Sequence, residues 1–348
     1  MNIYFRLDAS NEIGTGHLIR CLTLAEELIA SGANITFICK EIPDAMVPLV
    51  YDKKVAIVRL ATENRESEPT EIISLLEGQE KSVDWFIVDH YEWNQSLEVQ
   101  LRPHVQRIGV IDDLANRNHD CDLLLDQNLS AMDNCERYRV ILPNEAILLL
   151  GLEYALLRRD FSIIRRENKR YEHTISRVLI CFGGSDPTGE TIKALAAIND
   201  PLFSNIEFDC IVGRANNNLD SIEQLCTQMK NISLHIQTDQ MAALMYQADL
   251  AICSLGTITW ERYCLGLPAI TISVADNQLL NAASIQKLEI DEYLGPAQSV
   301  SSSLLREAIS NQIKYADQLP VKREKAMKYV DGDGVRRVAN ALLSMSGE

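Results

Sequence analysis

The residue of this sequence best suited to chemistry is His17, at the end of a glycine loop. Asp8–Leu28 reads DASNEIGTGHLIRCLTLAEEL and follows an apolar run at Ile3–Leu7, which predicts a strand, a loop and the start of a helix. Glycines let a backbone approach a ligand closely, and the free amides at a helix start favour an anionic group. We therefore predict that His17 is the catalytic residue. The predicted substrate contacts in this loop are Gly14, Thr15, Gly16 and Arg20.

The glycine loop also has a simpler interpretation, in which it serves packing alone. Turns from strand to helix often need glycine only for packing, and most histidines at helix starts are solvated or capping residues. The loop lacks the dinucleotide fingerprint, because the third glycine of GxGxxG would fall at Ile19. NAD is therefore not the expected ligand.

A second stretch, ADLAICSLGTITWERYCLGLPAITISVADNQLLNA at 248–282, has the residue types of a nucleotide site. Hydroxyls and amides at a helix start can bind phosphates, and a carboxylate one turn further can accept both ribose hydroxyls. The turn GGSDPTGET, which follows the apolar run RVLICF, has the same character. The predicted contacts of these turns are Gly183, Gly184, Ser254, Gly256, Thr257, Glu261, Asn277 and Gln278.

Each of these residues has a structural alternative that the sequence leaves open. Ser185 or Asp186 can cap a helix whose first position suits Pro187, and Asn277-Gln278 can cap the next one. The same holds for three polar clusters that follow predicted strands, since aspartate after a strand commonly forms turns. These clusters are Asp89-His90-Tyr91, Asp112-Asp113 and Asp126-Gln127-Asn128.

The elements that position these residues are short apolar runs alternating with amphipathic segments, which predicts parallel sheets covered by helices on both faces. We expect an α/β protein of the GT-B type, with two Rossmann-like domains facing each other across a cleft. The predicted N-terminal domain spans 1–155, and an arginine-rich interdomain connection spans 156–176. The C-terminal nucleotide-binding domain spans 177–348, with its last helix packing back on the N-terminal domain.

Composition narrows the possible partners. The net charge of −16 disfavours nucleic acid and anionic membranes, while a local loop of amides can still bind an anionic small molecule. The nine cysteines are scattered without a CxxC pair, and the six histidines lack metal-ligand spacing, so we expect reduced thiols and no metal. With no membrane span or signal peptide in the sequence, we expect a cytoplasmic monomer.

The sequence resembles the PseG-type hydrolases, which act on UDP-2,4-diacetamido-2,4,6-trideoxy-β-L-altropyranose in pseudaminic acid biosynthesis and are similar in fold to GT-B enzymes of the MurG kind. The resemblance extends over nearly the whole chain in one order. It is carried by RLDASNEIGTGHLIRCLTLA, VDHY, IDDLANRNHDCDLLLDQN, GLEYALLRRDF, CFGGSDPTGET, ADLAICSLGTITWERYCLGLP and DGDGVRRV. One turn departs from the family, which commonly has GAGG-S/T-T where this chain has CSLGTIT.

The resemblance implies a hydrolysis that needs no metal or organic cofactor. His17 would act as general base on a water that attacks the anomeric carbon with inversion, and UDP would leave. A free imidazole titrates near pH 6.5, so a histidine base is available at neutral pH. Glu261 would bind the ribose, and Asn277 and Gln278 would lie near the phosphate or sugar. Tyr91 and the Asp112-Asp113 pair are candidates for orienting the sugar or the water.

Three other functions remain open at this point. A GT-B glycosyltransferase would use the same architecture, although no basic and apolar acceptor patch is evident near Pro43–Tyr51. A hydrolysing UDP-GlcNAc 2-epimerase would differ in its products. In a sugar-nucleotide binding module without catalysis, substitution of His17 would leave every measurable activity unchanged.

Overall fold

The computed structural model describes residues 1–10, 14–78, 81–129, 135–167 and 173–346. The chain divides into two compact units, of which the first comprises Met1–Leu156 with Asp333–Glu348 and the second Leu157–Gly332. The sequence had suggested a second domain running to residue 348 with its last helix packing back. The structure groups that last segment with the first unit, and it groups most of the suggested connection with the second.

The first unit is built on a parallel sheet of seven strands in the order β3-β2-β1-β4-β5-β6-β7. Its central strands are mostly apolar and mostly buried, as the sequence pattern predicts for a covered parallel sheet. The strands are β1 (Asn2–Leu7), β2 (Asn34–Cys39), β3 (Ala56–Arg59), β4 (Val83–Asp89), β5 (Val105–Ile111), β6 (Leu123–Asp126) and β7 (Ile147–Leu150).

Helices cover this first sheet. They are α1 (Gly16–Ala30), α2 (Val47–Asp52), α3 (Glu68–Glu77), α4 (Gln95–Leu101), α5 (Cys135–Ile141) and, from the far end of the chain, α14 (Gly334–Met345). Helix α14 packs on α1, and Trp85 of β4 donates from Nε1 to Ser346 Oγ at 2.8 Å. The first residue of α14, Gly334, must be glycine, because a Cβ there would lie 2.3 Å from the carbonyl oxygen of Ala155.

The second unit repeats the plan with a parallel sheet of six strands in the order β10-β9-β8-β11-β12-β13. The strands are β8 (Arg177–Cys181), β9 (Glu207–Val212), β10 (Ile232–Ile236), β11 (Leu250–Ser254), β12 (Ala269–Ser273) and β13 (Glu292–Pro296). The helices are α6 (Arg159–Glu167), α7 (Glu190–Ile198), α8 (Leu219–Thr227), α9 (Met241–Gln247), α10 (Ile258–Cys264), α11 (Asp276–Gln286), α12 (Ser302–Lys314) and α13 (Leu319–Tyr329). Two parallel sheets with covering helices confirm the predicted α/β class.

Two elements differ from the sequence prediction. Helix α6 lies inside the stretch that was interpreted as an interdomain connection. Phe161 is fully buried, and Arg165 donates to the carbonyl oxygens of Cys264 and Met327 at 2.6 and 2.7 Å. Arg165 therefore attaches this helix to the rest of the second unit. Strand β13 was not predicted, because its sequence EYLGP contains glycine and proline, which are uncommon inside strands. In the structure all five of its residues are only partly buried.

None of the helices that the structure describes is both long enough and apolar enough to cross a bilayer.

Candidate active site

The glycine loop of the first unit leaves open space around its backbone. Gly14 has φ +83°, a conformation that favours glycine, and its amide donates to the carbonyl oxygen of Ser10 at 2.9 Å. A Cβ at either Gly14 or Gly16 would meet no heavy atom within 4 Å. Among the described residues, the backbone at these two glycines is therefore not covered by a neighbouring side chain.

The imidazole of His17 is held by a carboxylate from the neighbouring strand. Its Nδ1 lies 2.6 Å from Oδ1 of Asp89, the last residue of β4. Strands β1 and β4 are adjacent and parallel, with Leu7 opposite Asp89, so the sheet itself brings the carboxylate to the loop. An ionised carboxylate only accepts hydrogen bonds, so Nδ1 carries the hydrogen and Nε2 of the neutral ring holds the free electron pair.

Arg20, one helical turn after His17, fixes the same carboxylate from a second direction. Its Nε donates to Asp89 Oδ2 at 2.7 Å and its Nη2 donates to Oδ1, while Cys21 Sγ adds a contact of 3.2 Å to Oδ2. Burial of Asp89 opposes its ionised form, but the charge of Arg20 and the hydrogen bonds from Arg20 and His17 outweigh burial and hold the pKa of Asp89 well below the usual range. Asp89 is therefore a permanent anion that orients His17.

Tyr91 and Asp113 complete this cluster. The Tyr91 ring meets the His17 ring edge to face, with centroids 4.8 Å apart. Its hydroxyl donates to Asp113 Oδ2 at 3.3 Å, and Arg20 Nη1 donates to the same oxygen at 3.3 Å. We call His17, Arg20, Asp89, Tyr91 and Asp113 the histidine cluster.

Asp112, which the sequence analysis proposed as a substrate contact, is occupied by its own loop. It is 1% exposed, accepts from the amide of Ala115 at 2.8 Å, and forms an ion pair of 2.6 Å with Arg117. Asp126 is similarly enclosed, and burial raises its pKa to about 7. It is thus Asp113 of the predicted pair that joins the histidine cluster.

His90 is a structural residue rather than a second base. Its Nδ1 accepts from the amide of Glu92 at 3.0 Å, so Nε2 carries the hydrogen and donates to Asp8 at 3.1 Å. Burial lowers its pKa, which keeps the ring neutral. Asp8 also accepts from Arg6, which is itself paired with Glu68 through two hydrogen bonds of 2.9 and 3.0 Å.

In the second unit, the turn at Gly183-Gly184 is fixed by Asp186. Gly183 has φ +89°, and a Cβ there would meet no heavy atom of the described residues within 4 Å. Asp186 accepts from the amides of Glu190 and Thr191 at 3.0 and 2.8 Å, as the capping interpretation predicted. The predicted helix start at Pro187 is wrong: Asp186 at φ +42° and Gly189 at φ +72° turn the chain again, and α7 begins only at Glu190.

The turn after β11 forms without the glycines that the family commonly has. Leu255 is buried, and its φ is not positive. The backbone conformation at this position therefore does not require glycine. Ser254 Oγ and Gln278 Nε2 lie 4.0 and 3.8 Å from the position of a Cβ on Gly256, while Thr257 is exposed. The turn therefore places hydroxyl and amide groups around Gly256, which has no side chain.

Glu261, in the first turn of α10, is a carboxylate without a local partner. None of the described residues donates a hydrogen bond to it, although Arg158 and Asp160 act on it electrostatically. Burial raises the pKa of Glu261 to about 7, against the opposing charge of Arg158. By contrast the next residue, Arg262, is fully buried and binds Asp291 through two hydrogen bonds of 3.0 and 2.9 Å.

Gln278 stabilises the start of α11. Its Oε1 accepts from the amide of Val274 at 2.9 Å, which leaves its amide nitrogen directed at the turn before α10. Capping and ligand contact are thus compatible at this residue. The side chain of Asn277 lies outside the part of the chain that the structure describes.

One member of the histidine cluster, Asp89, was missed as a site residue from the sequence, whereas Asp113 was proposed to orient the sugar or the water and not to bind Arg20. Asp89 and Asp113 stood in the polar clusters after predicted strands, but neither was assigned to His17 or Arg20. The signal that could have found Asp89 is its position at the end of an apolar strand, together with a doubly wound strand order that makes that strand the neighbour of β1.

Comparison with known proteins supports the fold and the resemblance. Residues 178–336 match the glycosyltransferase family 28 C-terminal domain. The chain is 25% identical over 289 residues to the UDP-2,4-diacetamido-2,4,6-trideoxy-β-L-altropyranose hydrolase of Campylobacter jejuni, covering 82% of this chain and 97% of that protein. It is 24% identical over 344 residues to the spore coat polysaccharide biosynthesis protein SpsG of Bacillus subtilis, covering 98% of each.

The fold is that of GT-B enzymes. Acinetobacter baumannii MurG superposes with a TM-score of 0.62 over 99% of both chains, at 13% identity. At that identity the likeness concerns the fold alone. The resemblance to the altropyranose hydrolases that the sequence predicted is confirmed by the similarity along most of the chain.

Proposed function

We propose that this protein hydrolyses a UDP-activated 2,4-diacetamido-2,4,6-trideoxy sugar, the β-L-altropyranose, to the free sugar and UDP, as a step of pseudaminic acid biosynthesis. The observation that carries the proposal is the contact of 2.6 Å between His17 Nδ1 and Asp89. It leaves Nε2 as the basic atom of the ring, and His17 directly follows Gly16, where a Cβ would meet no heavy atom of the described residues within 4 Å. The near full-length similarity to a hydrolase of this substrate supports the choice of reaction.

The chemistry needs one base and a good leaving group. Nε2 of His17 takes a proton from water as the water oxygen forms a bond to the anomeric carbon. The bond from that carbon to the diphosphate oxygen breaks, and the electron pair leaves with UDP. Attack from the face opposite the leaving group inverts the anomeric configuration. Asp89, held by Arg20, stabilises the imidazolium as it forms.

The second unit supplies the nucleotide contacts in this proposal. Glu261 accepts hydrogen bonds from the ribose hydroxyls, for which a carboxylate without a partner among the described residues is well suited. The diphosphate binds at the two glycine-containing turns, at Gly183-Gly184 and at Ser254-Thr257. Gln278 contributes its free amide nitrogen, and Asn277 lies beside it in α11.

The experiment is a time course by proton and phosphorus NMR with the UDP-sugar, without any acceptor and with EDTA present. We expect UDP and the free sugar in the inverted anomer to accumulate together. His17→Asn should abolish turnover while UDP binding, measured by calorimetry, stays near the wild-type value. Loss of UDP binding in that variant would contradict the assignment of His17 as the base.

A glycosyltransferase is the second candidate, because residues 178–336 match a glycosyltransferase domain. Transfer and hydrolysis differ in whether a sugar hydroxyl or water attacks the anomeric carbon. An intact UDP-sugar in the time course would favour transfer, and addition of acceptors would then be required for turnover. An isomerised sugar product would instead indicate an epimerase.

A further inference from the structure

Gly213, the residue after β9, touches the Gly183-Gly184 turn backbone to backbone. A Cβ on Gly213 would lie 2.2 Å from the carbonyl oxygen of Gly184 and 2.7 Å from its Cα. Strands β8 and β9 are adjacent and parallel, with Cys181 opposite Ile211, so the segments that follow them leave the sheet side by side. Any side chain at position 213 would push the turn away from its observed place.

The segment after Gly213 contacts the far end of the same turn. Asn218 Nδ2 lies 3.8 Å from the position of a Cβ on Gly189. Asn216, which is 5% exposed, accepts from the amide of Asn218 at 2.8 Å and so fixes the shape of this segment. The turn at 183–189 is therefore held on one side by residues 213–218 and on the other by the hydrogen bonds of Asp186 to α7.

Arg214 directly follows Gly213, and its side chain takes no part in holding the turn. It is exposed, and its guanidinium has no partner among the described residues. The other described arginines of the second unit are all engaged, for example Arg177 with Asp209, Arg262 with Asp291 and Arg323 with Asp249. In a chain with a net charge of −16, an unpaired arginine beside a glycine turn is a local exception to the overall field.

Arg214 is also close enough to act on a group bound at the turn. Adding one carbon–carbon bond to the 2.7 Å contact puts the Cα atoms of Gly213 and Gly184 at most ~4.2 Å apart. Consecutive Cα atoms are ~3.8 Å apart, so the Cα of Arg214 lies within about 8 Å of that of Gly184. An extended arginine side chain can cover most of that distance.

We propose that Arg214 binds the diphosphate of the nucleotide-sugar, and that Gly213 is a positioning residue that sets the place of the Gly183-Gly184 turn beneath it. The inference rests on the proposed function and extends it to a segment that none of the sequence motifs includes. A guanidinium suits this role because its planar donors match the geometry of phosphate oxygens. Binding of a nucleoside diphosphate should therefore depend on Arg214, whereas binding of the nucleoside without phosphate should not.

The test compares UDP with uridine on the full-length protein. For Arg214→Gln we expect UDP affinity to fall about tenfold to a hundredfold, the effect of losing hydrogen bonds to a charged group, with uridine affinity unchanged. Added salt should weaken UDP binding less in the variant than in the wild type, because one charge pair fewer is screened. Arg139→Gln is the matched control, since Arg139 is an exposed arginine of the first unit without a partner among the described residues, and should alter neither ligand.

Gly213→Ala provides a second variant for the turn. We expect it to weaken UDP binding and leave uridine binding intact, and to lose the rise in melting temperature that UDP gives the wild type. Equal losses for UDP and uridine, or unchanged UDP affinity in Arg214→Gln, would overturn the inference while leaving the proposed function in place. A wild-type protein that binds no UDP at all would refute the proposed function, and this inference with it.

Discussion

Asp89→Asn is the substitution that most directly tests how His17 is prepared for catalysis. The carboxylate oxygen that accepts from Nδ1 at 2.6 Å would be replaced, in one orientation, by an amide nitrogen that can only donate. Nδ1 must then accept, so the hydrogen moves to Nε2 and the basic electron pair is lost from the atom that we propose as the base. In the other orientation the amide nitrogen faces Arg20, which is itself a donor only.

The size of the effect follows from burial and charge. General-base catalysis typically contributes 10²- to 10⁴-fold, so we expect turnover to fall within about that range. Removing one partner of a buried ion pair costs roughly 3–5 kcal/mol of unfolding free energy. Because Arg20 keeps its contact of 3.3 Å to Asp113, we expect the lower end, about 3 kcal/mol.

The assay is single-turnover hydrolysis across pH 6 to 8, with urea unfolding measured in parallel. The depressed pKa of Asp89 means that its stabilising charge is present above the pKa of an unfolded aspartate, about 3.9, and is lost only at lower pH. The stability difference from the wild type should therefore be constant over the assayed range. Asp113→Asn is the control, since it touches Arg20 and Tyr91 but not His17, and should cost less than about tenfold in rate. Equal turnover in the Asp89→Asn variant and the wild type would refute the orientation argument.

Two further predictions concern the second unit. Because burial raises the pKa of Glu261 to about 7, its carboxylate, which we propose accepts the ribose hydroxyls, forms only as pH rises through that value. UDP affinity measured by calorimetry should therefore increase from pH 6 to 8. Glu261→Gln should bind UDP more weakly and without this pH dependence, and a persisting dependence would mean that another group titrates. Asp291→Asn should cost about 3–5 kcal/mol in urea unfolding, because it breaks the buried pair with Arg262. Asp200→Asn, at the exposed pair with Arg306, should cost less than about 1 kcal/mol, and similar losses for both would contradict the burial argument.

Part of the fold was accessible from the sequence because many of its strands contain short apolar runs. The apolar run Ile3–Leu7 was predicted as a strand, and β1 (Asn2–Leu7) begins one residue earlier. Where polar residues make the packing contacts, the apolar pattern of the sequence does not predict how the element packs. Helix α6 is an example, because Arg165 is attached through backbone carbonyl oxygens rather than through apolar contacts.

The candidate site was predicted in part, for a reason of topology. His17 and the glycine loop are contiguous in sequence, so local pattern was enough to single them out. The partner of His17 is 72 residues away on β4, and the neighbour relation of β1 and β4 follows from strand order, which periodicity does not encode. The contact of Gly213 with Gly184 is equally non-local.

The composition of the first unit has a consequence for synthesis. Helix α14 belongs to that unit, buries Val335, Val338 and Leu342 in its core, and receives a hydrogen bond from Trp85 at the carbonyl oxygen of Leu342. On the ribosome, residues 1–156 therefore emerge without the helix that covers one face of their sheet, whereas Leu157–Gly332 emerges as an uninterrupted segment. The second unit should reach its native state before the first, which stays open to chaperones until translation passes residue 342.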